Sequence, residues 1–141
     1  MDTERGLMMV AEDLVPACLT RWGLTGTVLA TTLGQTLDGL EFHHPLSHVD
    51  AGFARTAPVY LADYATANDG TGIVHSAPAY GLDDFNSCVS HGMAYNDILN
   101  PVQGQGAYAP DFPLFAGQHI WKAVPVILLS LIHISEPTRR S

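Results

Sequence analysis

Apolar and polar positions along this chain follow a helical period in only two stretches. Between Val10 and Trp22, the apolar residues Leu14, Cys18 and Trp22 fall at i, i+4 and i+8, flanked by Val15 and Leu19. That spacing predicts a helix over Val10–Trp22 with one buried stripe. Gly23 supplies a C-terminal stop, and Glu12 and Asp13 suit the positive N-terminal end. Pro16 fits poorly in a helix beginning at Val10, because past the first turn it removes a backbone donor. A shorter helix is predicted over Leu82–His91, with Asp83 and Asp84 in its first turn and Gly92 at its end. From Gly26 onward the texture is one of strand-sized apolar runs cut by turn residues: 26–34, 39–45, 57–63 and 72–78. Residues 100–115 read as turns, and His119–Ala123 as one more strand. The fold class expected from this pattern is mainly β, a partly closed barrel with peripheral α-helices.

Composition narrows the picture. A length of 141 residues fits one domain or part of one. With 47% hydrophobic residues a core is attainable, and with 13 Gly and 9 Pro the chain should turn often. A net charge of −8 argues against a free-standing nucleic-acid binder, though not against a piece of a larger nucleic-acid enzyme. Cys18 and Cys88 form no CxxC pair and fit a reducing, cytoplasmic location. The acidic start MDTERGL is unlike a signal peptide. The longest apolar stretch, Ala123 to Ile134, contains Pro125 and falls short of the ~20 residues of a membrane span, so no membrane association is expected. After residue 127 the polarity pattern dissolves, and LSLIHISEPTRRS from Leu129 reads like a translated sequencing adapter. Residues 128–141 are therefore expected to be a non-native tail, the alternative being a genuine hydrophobic strand or helix.

Two constellations could carry chemistry. His43, His44, His48 and Asp50 in FHHPLSHVD could ligate a metal and serve a metal-dependent hydrolase. The spacing is not that of HExxH, and adjacent histidines on a strand point to opposite faces. The second is Asp69 to Phe85, DGTGIVHSAPAYGLDDF, where a Gly-rich turn, an apolar run ending in His75, a Pro-Gly loop and an acid-led helix start succeed one another. His75 there is either a working imidazole or a core one, and Asp83 or Asp84 either a ligand or a helix cap. Ser76 lacks a GxSxG elbow and Cys88 lacks an electropositive neighbour in sequence, which disfavours a nucleophile at either. A non-catalytic β module is a further reading of the same features.

The stretch GTGIVHSAPAYGLDDF resembles the hallmark of the editing domain of class I isoleucyl-tRNA synthetases. AEDLV from Ala11, FHHP from Phe42, NPVQGQGAY from Asn100 and FAGQHIWKA from Phe115 follow in the family's order, so the resemblance covers roughly residues 2–127. Valyl and leucyl enzymes share the domain, but the NPV…IWKA ending is closer to the isoleucyl type. The resemblance implies that residues 1–127 are a partial editing domain that hydrolyses valyl-tRNA mischarged on the isoleucine tRNA. It implies His75 and Asp84 as catalytic residues and Gly70, Thr71, Gly72, His75 and Asp84 as the substrate-binding set. The aspartate would hold the α-ammonium of the wrong amino acid, and the histidine would position the terminal ribose and a water. The implied partner is the tRNA 3′ end carrying that amino acid. No metal or cofactor is implied for editing, whereas ATP and Mg belong to the catalytic domain of a parent enzyme expected to be monomeric. A pocket separating amino acids that differ by one methylene gains only ~1–3 kcal/mol, a general result established for isoleucine against valine rather than inferred from this chain, and this is why a second, hydrolytic sieve is needed. The family's Thr-rich pocket wall and its HIGH and KMSKS signatures have no counterpart here. The chain is therefore expected to be a fragment with little activity alone.

Overall fold

The computed structural model describes residues 1–135. They form two compact units that alternate along the chain: Met1–Gly39 with Tyr60–Met93, and Leu40–Val59 with the residues from Ala94 onward.

In the first unit, β1 (Asp2–Thr3) pairs antiparallel with both β2 (Gly6–Leu7) and β3 (Gly26–Thr27), giving the order β2-β1-β3. The tight turn between β1 and β2 is held by the Thr3 hydroxyl, which donates to the Gly6 carbonyl at 2.8 Å, with Gly6 at φ 100°. The Glu4 carboxylate in this turn accepts the Thr25 amide on both oxygens at 3.1 Å and also the Thr25 hydroxyl. These bonds hold the exposed Glu4 carboxyl below the usual carboxylate range.

The helix expected over Val10–Trp22 divides into a 3₁₀ turn at Glu12–Leu14 and α1 at Val15–Trp22. This resolves the Pro16 conflict: the proline falls in the first turn of α1, where a missing N–H costs no intrahelical bond. Gly23 ends the helix in the left-handed conformation (φ 64°), its amide donating to the Leu19 and Thr20 carbonyls. Cys18 is buried on the inner stripe. The second helix, α2, spans Leu82–Ser90 as expected, ending one residue before His91.

In the second unit, β4 (Glu41–His43) pairs antiparallel with β5 (Thr56–Pro58). Leu46, Phe53, Phe115 and Ala123 form its core, with Tyr108, Phe112 and Ile127 packed against them. Phe53 meets Phe112 edge-on at 5.8 Å, and Tyr108 stacks on Phe112 at 4.8 Å. α3 (Ile120–Ser135) runs where a strand was expected over His119–Ala123. Only His119 makes a β-bridge, to Ala107. Its carbonyl then accepts the Lys122 and Ala123 amides, and its ring Nδ1 the Trp121 amide at 3.4 Å, so His119 caps a helix rather than continuing a strand.

The mainly β expectation is met only in part. The sheets are small and antiparallel, no closed barrel forms among the described residues, and helix outweighs strand. Residues 72–78 do not form the expected strand. There the Thr71 hydroxyl bonds both the amide (3.3 Å) and the carbonyl (3.2 Å) of Ile73, diverting backbone groups that a ladder would need. In 26–34 pairing stops at Thr27, leaving Val28, Leu29 and Leu33 exposed. Within the expected tail, Leu128 and Leu129 are 55% and 58% exposed, and residues 136–141 lie outside the described residues. Among the described residues no helix is long and apolar enough to cross a membrane.

Candidate functional site

The stretch from Asp69 to Phe85 lies wholly within the first unit. Asp69 Oδ1 accepts the Gly70 amide at 2.6 Å, tightening a turn in which Gly70 and Gly72 both have positive φ (63° and 76°). Gly72 also has no room for a side chain, since a Cβ there would stand 2.5 Å from the Ala11 Cβ. Closeness at this point serves two bonds to the α1 region: the Thr71 carbonyl accepts the Ala11 amide at 2.8 Å, and the Gly70 carbonyl accepts the Cys18 thiol at 3.4 Å. The Gly-Thr-Gly turn is thereby pinned to the entry of α1.

His75 follows in an exposed, extended segment and has no hydrogen-bond partner among the described residues. Next to it the Ser76 hydroxyl lies 3.4 Å from the Tyr64 hydroxyl. The chain then reverses about Ala77, whose carbonyl accepts the amides of Tyr80 (2.9 Å) and Gly81 (3.2 Å). The Ala77 amide donates to Oδ2 of Asp84 at 2.9 Å, a charge-assisted bond that ties the start of the loop to the first turn of α2. Asp84 is half-buried, whereas Asp83 beside it is exposed. The acid pair therefore divides into a half-buried member that latches the loop, Asp84, and a solvated one, Asp83. A carboxylate has about four acceptor positions, so an Asp84 already bonded once retains capacity for a cationic donor. One turn on, Cys88 is buried, and that burial, reinforced by the Asp84 charge, pushes its thiol above the ordinary cysteine value. A thiol held protonated in this way is a poor nucleophile.

The structure does not assemble the histidine cluster of the second unit. The ring of His44 stacks on Phe53 at 4.8 Å, and its Nδ1 accepts the Leu46 amide at 3.1 Å. Burial and the Arg55 charge hold His44 below its usual value. Asp50 caps a 3₁₀ turn, its Oδ1 accepting the Gly52 amide at 2.7 Å. His43 and His48 are exposed. Among the described residues no group of three or more His, Cys, Asp or Glu side chains converges on a common point. The metal-hydrolase reading of His43, His44, His48 and Asp50 is corrected accordingly: two of the four are spent on local structure.

Sequence reasoning missed the Ala77 amide as the partner of Asp84, because a backbone group leaves no trace in residue identity. The signal available was indirect, a small residue and a glycine spaced by the Pro-containing loop ahead of an acid-led helix.

No protein-family model matches the chain. Compared with curated proteins, it is 59% identical over 128 residues to isoleucine–tRNA ligase of Ralstonia pickettii (strain 12J), a match covering 91% of this chain and 13% of that protein. It is 58% identical over 125 residues to isoleucine–tRNA ligase of Bordetella petrii, covering 89% of this chain and 13% of that protein. The figure for isoleucine–tRNA ligase of Burkholderia lata is 55% over 131 residues, covering 93% and 14%. These relatives are aminoacyl-tRNA ligases. The chain belongs with the isoleucine–tRNA ligases, as the counterpart of one segment spanning about 13% of the length of the relatives it matches.

Proposed function

We propose that this chain is the editing segment of an isoleucine–tRNA ligase, and that it hydrolyses the ester of valine wrongly attached to the isoleucine tRNA. In this reading the tRNA 3′ end is the partner and the parent enzyme is cytoplasmic and monomeric. ATP and Mg serve amino-acid activation elsewhere in that enzyme, and ester hydrolysis needs neither. The observation that carries the proposal is the half-buried Asp84, aimed by the Ala77 amide across the loop that follows His75.

The chemistry is assigned to the residues as follows. Asp84 pairs its remaining acceptor capacity with the α-ammonium of the bound amino acid. His75 orients a water, or the ribose hydroxyl beside the ester, through an imidazole nitrogen. Water adds to the ester carbonyl, the bond to the ribose oxygen breaks, and that oxygen leaves with a proton. The products are free valine and uncharged tRNA. Gly70, Thr71 and Gly72 present backbone along one side of the substrate, in the conformation enforced by their bonds to Ala11 and Cys18. The acyl side chain would be selected by size, valine entering where isoleucine does not.

The test is a chimera: this segment, through Val126, replaces the matching stretch of an intact isoleucine–tRNA ligase. The chimera is expected to deacylate valyl-tRNA and spare isoleucyl-tRNA. Asp84→Ala is expected to lower deacylation by two to four decades, since an unpaired desolvated ammonium costs on the order of 3–5 kcal/mol. His75→Ala is expected to cost ~10²–10⁴-fold, and Asp83→Ala only a few fold. A chimera in which Asp84→Ala deacylates at the unsubstituted rate removes the proposal.

A further inference from the structure

Gly81 precedes α2 with φ −133° and ψ 133°, ordinary extended backbone open to any residue. Its conformation therefore does not explain a glycine, but its surroundings do. A Cβ at Gly81 would stand 2.8 Å from Asp84 Oδ2 and 3.2 Å from Asp84 Cγ. The Oδ2 oxygen it would strike is the one that accepts the Ala77 amide. The carboxylate is the free end of a short side chain, so it can yield by rotating about its own torsions while the backbone stays in place. Rotation away from Gly81 withdraws Oδ2 from Ala77. The same residue is also bonded through its carbonyl, which accepts the Tyr80 and Gly81 amides. Ala77, Gly81 and Asp84 thus form one closed arrangement, in which the missing side chain of Gly81 is the space the carboxylate occupies.

We infer that Gly81, together with the Ala77 amide, sets the direction of the Asp84 carboxylate, which makes Gly81 a positioning residue of the site. The consequence for hydrolysis rests on the editing reading above; the geometric part does not. The arrangement departs from a capping box, in which the acid at the third helical position would return to the amide of the residue before the helix. Here the Gly81 amide is taken by Ala77, and the acid reaches past it to close the loop.

The experiment measures amide exchange and deacylation, both in the ligase chimera, using Gly81→Ala, Gly81→Ser, Asp84→Asn and Asp84→Ala. Gly81→Ser carries the same Cβ as alanine but restores a good helix-capping side chain, so it separates lost capping from a displaced carboxylate. Both Gly81 variants are expected to keep the fold and the isoleucylation rate. Both should speed exchange of the Ala77 amide about tenfold, as for one lost charge-assisted hydrogen bond. Both should also lower kcat for valyl-tRNA deacylation by ten- to a hundredfold, with KM changed less. Asp84→Asn keeps an oxygen for Ala77 but not the charge, so it should retain amide protection while losing deacylation. Normal Ala77 protection in Gly81→Ala overturns the inference, as does normal activity in either Gly81 variant when Asp84→Ala is inactive. Full deacylation by Asp84→Ala instead overturns the editing reading and leaves the amide-exchange result to judge the geometry alone.

Discussion

At His44 two interactions require an uncharged imidazole. Its Nδ1 must carry a lone pair to accept the Leu46 amide, and its ring is partly buried against Phe53 beside the charge of Arg55. Protonation turns both ring nitrogens into donors and abolishes the first of these. Burial comes first among the causes that lower the folded-state value below 6.5, and Arg55 adds to it. The unfolded chain therefore binds the proton more readily, and stability rises with pH through this window. The contribution is whole above the unfolded value near 6.5 and is lost as pH falls toward the lower folded value. Melting measured from about pH 7 down to about pH 5 is expected to show this loss. His44→Phe keeps a ring for Phe53, costs about 1 kcal/mol at neutral pH for the lost hydrogen bond, and removes that share of the pH dependence. Identical pH profiles for the two proteins would refute the assignment. The His-His-Pro sequence suggested a ligand, and the ring stack that uses His44 otherwise depends on Phe53, nine positions away.

Elements were legible where local signals agreed. α2 has acids in its first turn and its end close to Gly92, and it forms as read. α1 was located but begun too early, because the period alone cannot distinguish a 3₁₀ turn from the first α-turn, whereas Pro16 can. Strands were read too generously, since an alternating run forms a strand only where another run pairs with it. α3 is apolar on most of its surface. Ala123 and Ile127 serve the core, while Leu128 and Leu129 face outward. A helix apolar on several faces is usual in an interior, and here Leu128 and Leu129, in the expected tail, stand exposed like Trp121 and Val124 before them. Truncation after Leu128 is expected to leave the melting temperature within about 2 °C and to reduce aggregation, because a low-charge apolar run is removed while Leu46, Phe53, Phe115, Ala123 and Ile127 of the core are kept. A drop of several degrees would show that the tail belongs to the fold.

For the whole molecule, the buried apolar residues among those described are few: Cys18, Leu46, Phe53, Cys88, Phe115 and Ala123. Against them stand large apolar side chains in the open, with Leu7 at 78%, Trp121 at 76% and Leu82 at 74% exposed. Apolar surface left in water contributes nothing to folding, and this chain matches only 13% of the length of its relatives. The isolated chain is therefore expected to fall below the ~5–15 kcal/mol stability usual for a domain. It should also bind a hydrophobic dye at neutral pH and unfold over a broad range of urea. Within the chimera the same residues should resist proteolysis. A sharp urea transition without dye binding in the isolated chain would contradict this expectation.

Kinship with the isoleucine–tRNA ligases was determined by sequence alone, because GTGIVHSAPAYGLDDF is a long ordered string of residue identities and identity is what a sequence records. α2, the C-terminal end of α1 and the turn at Gly70–Gly72 were determined the same way, since capping and positive φ are local matters. Tertiary structure decided which acid of the pair is half-buried, what Asp84 is bonded to, and that a side chain at Gly81 would meet the Asp84 carboxylate. It also decided that the histidines of FHHPLSHVD do not gather and that the 72–78 run forms no strand. Each of these depends on a backbone group or a partner brought close by the fold, and residue type carries no record of either.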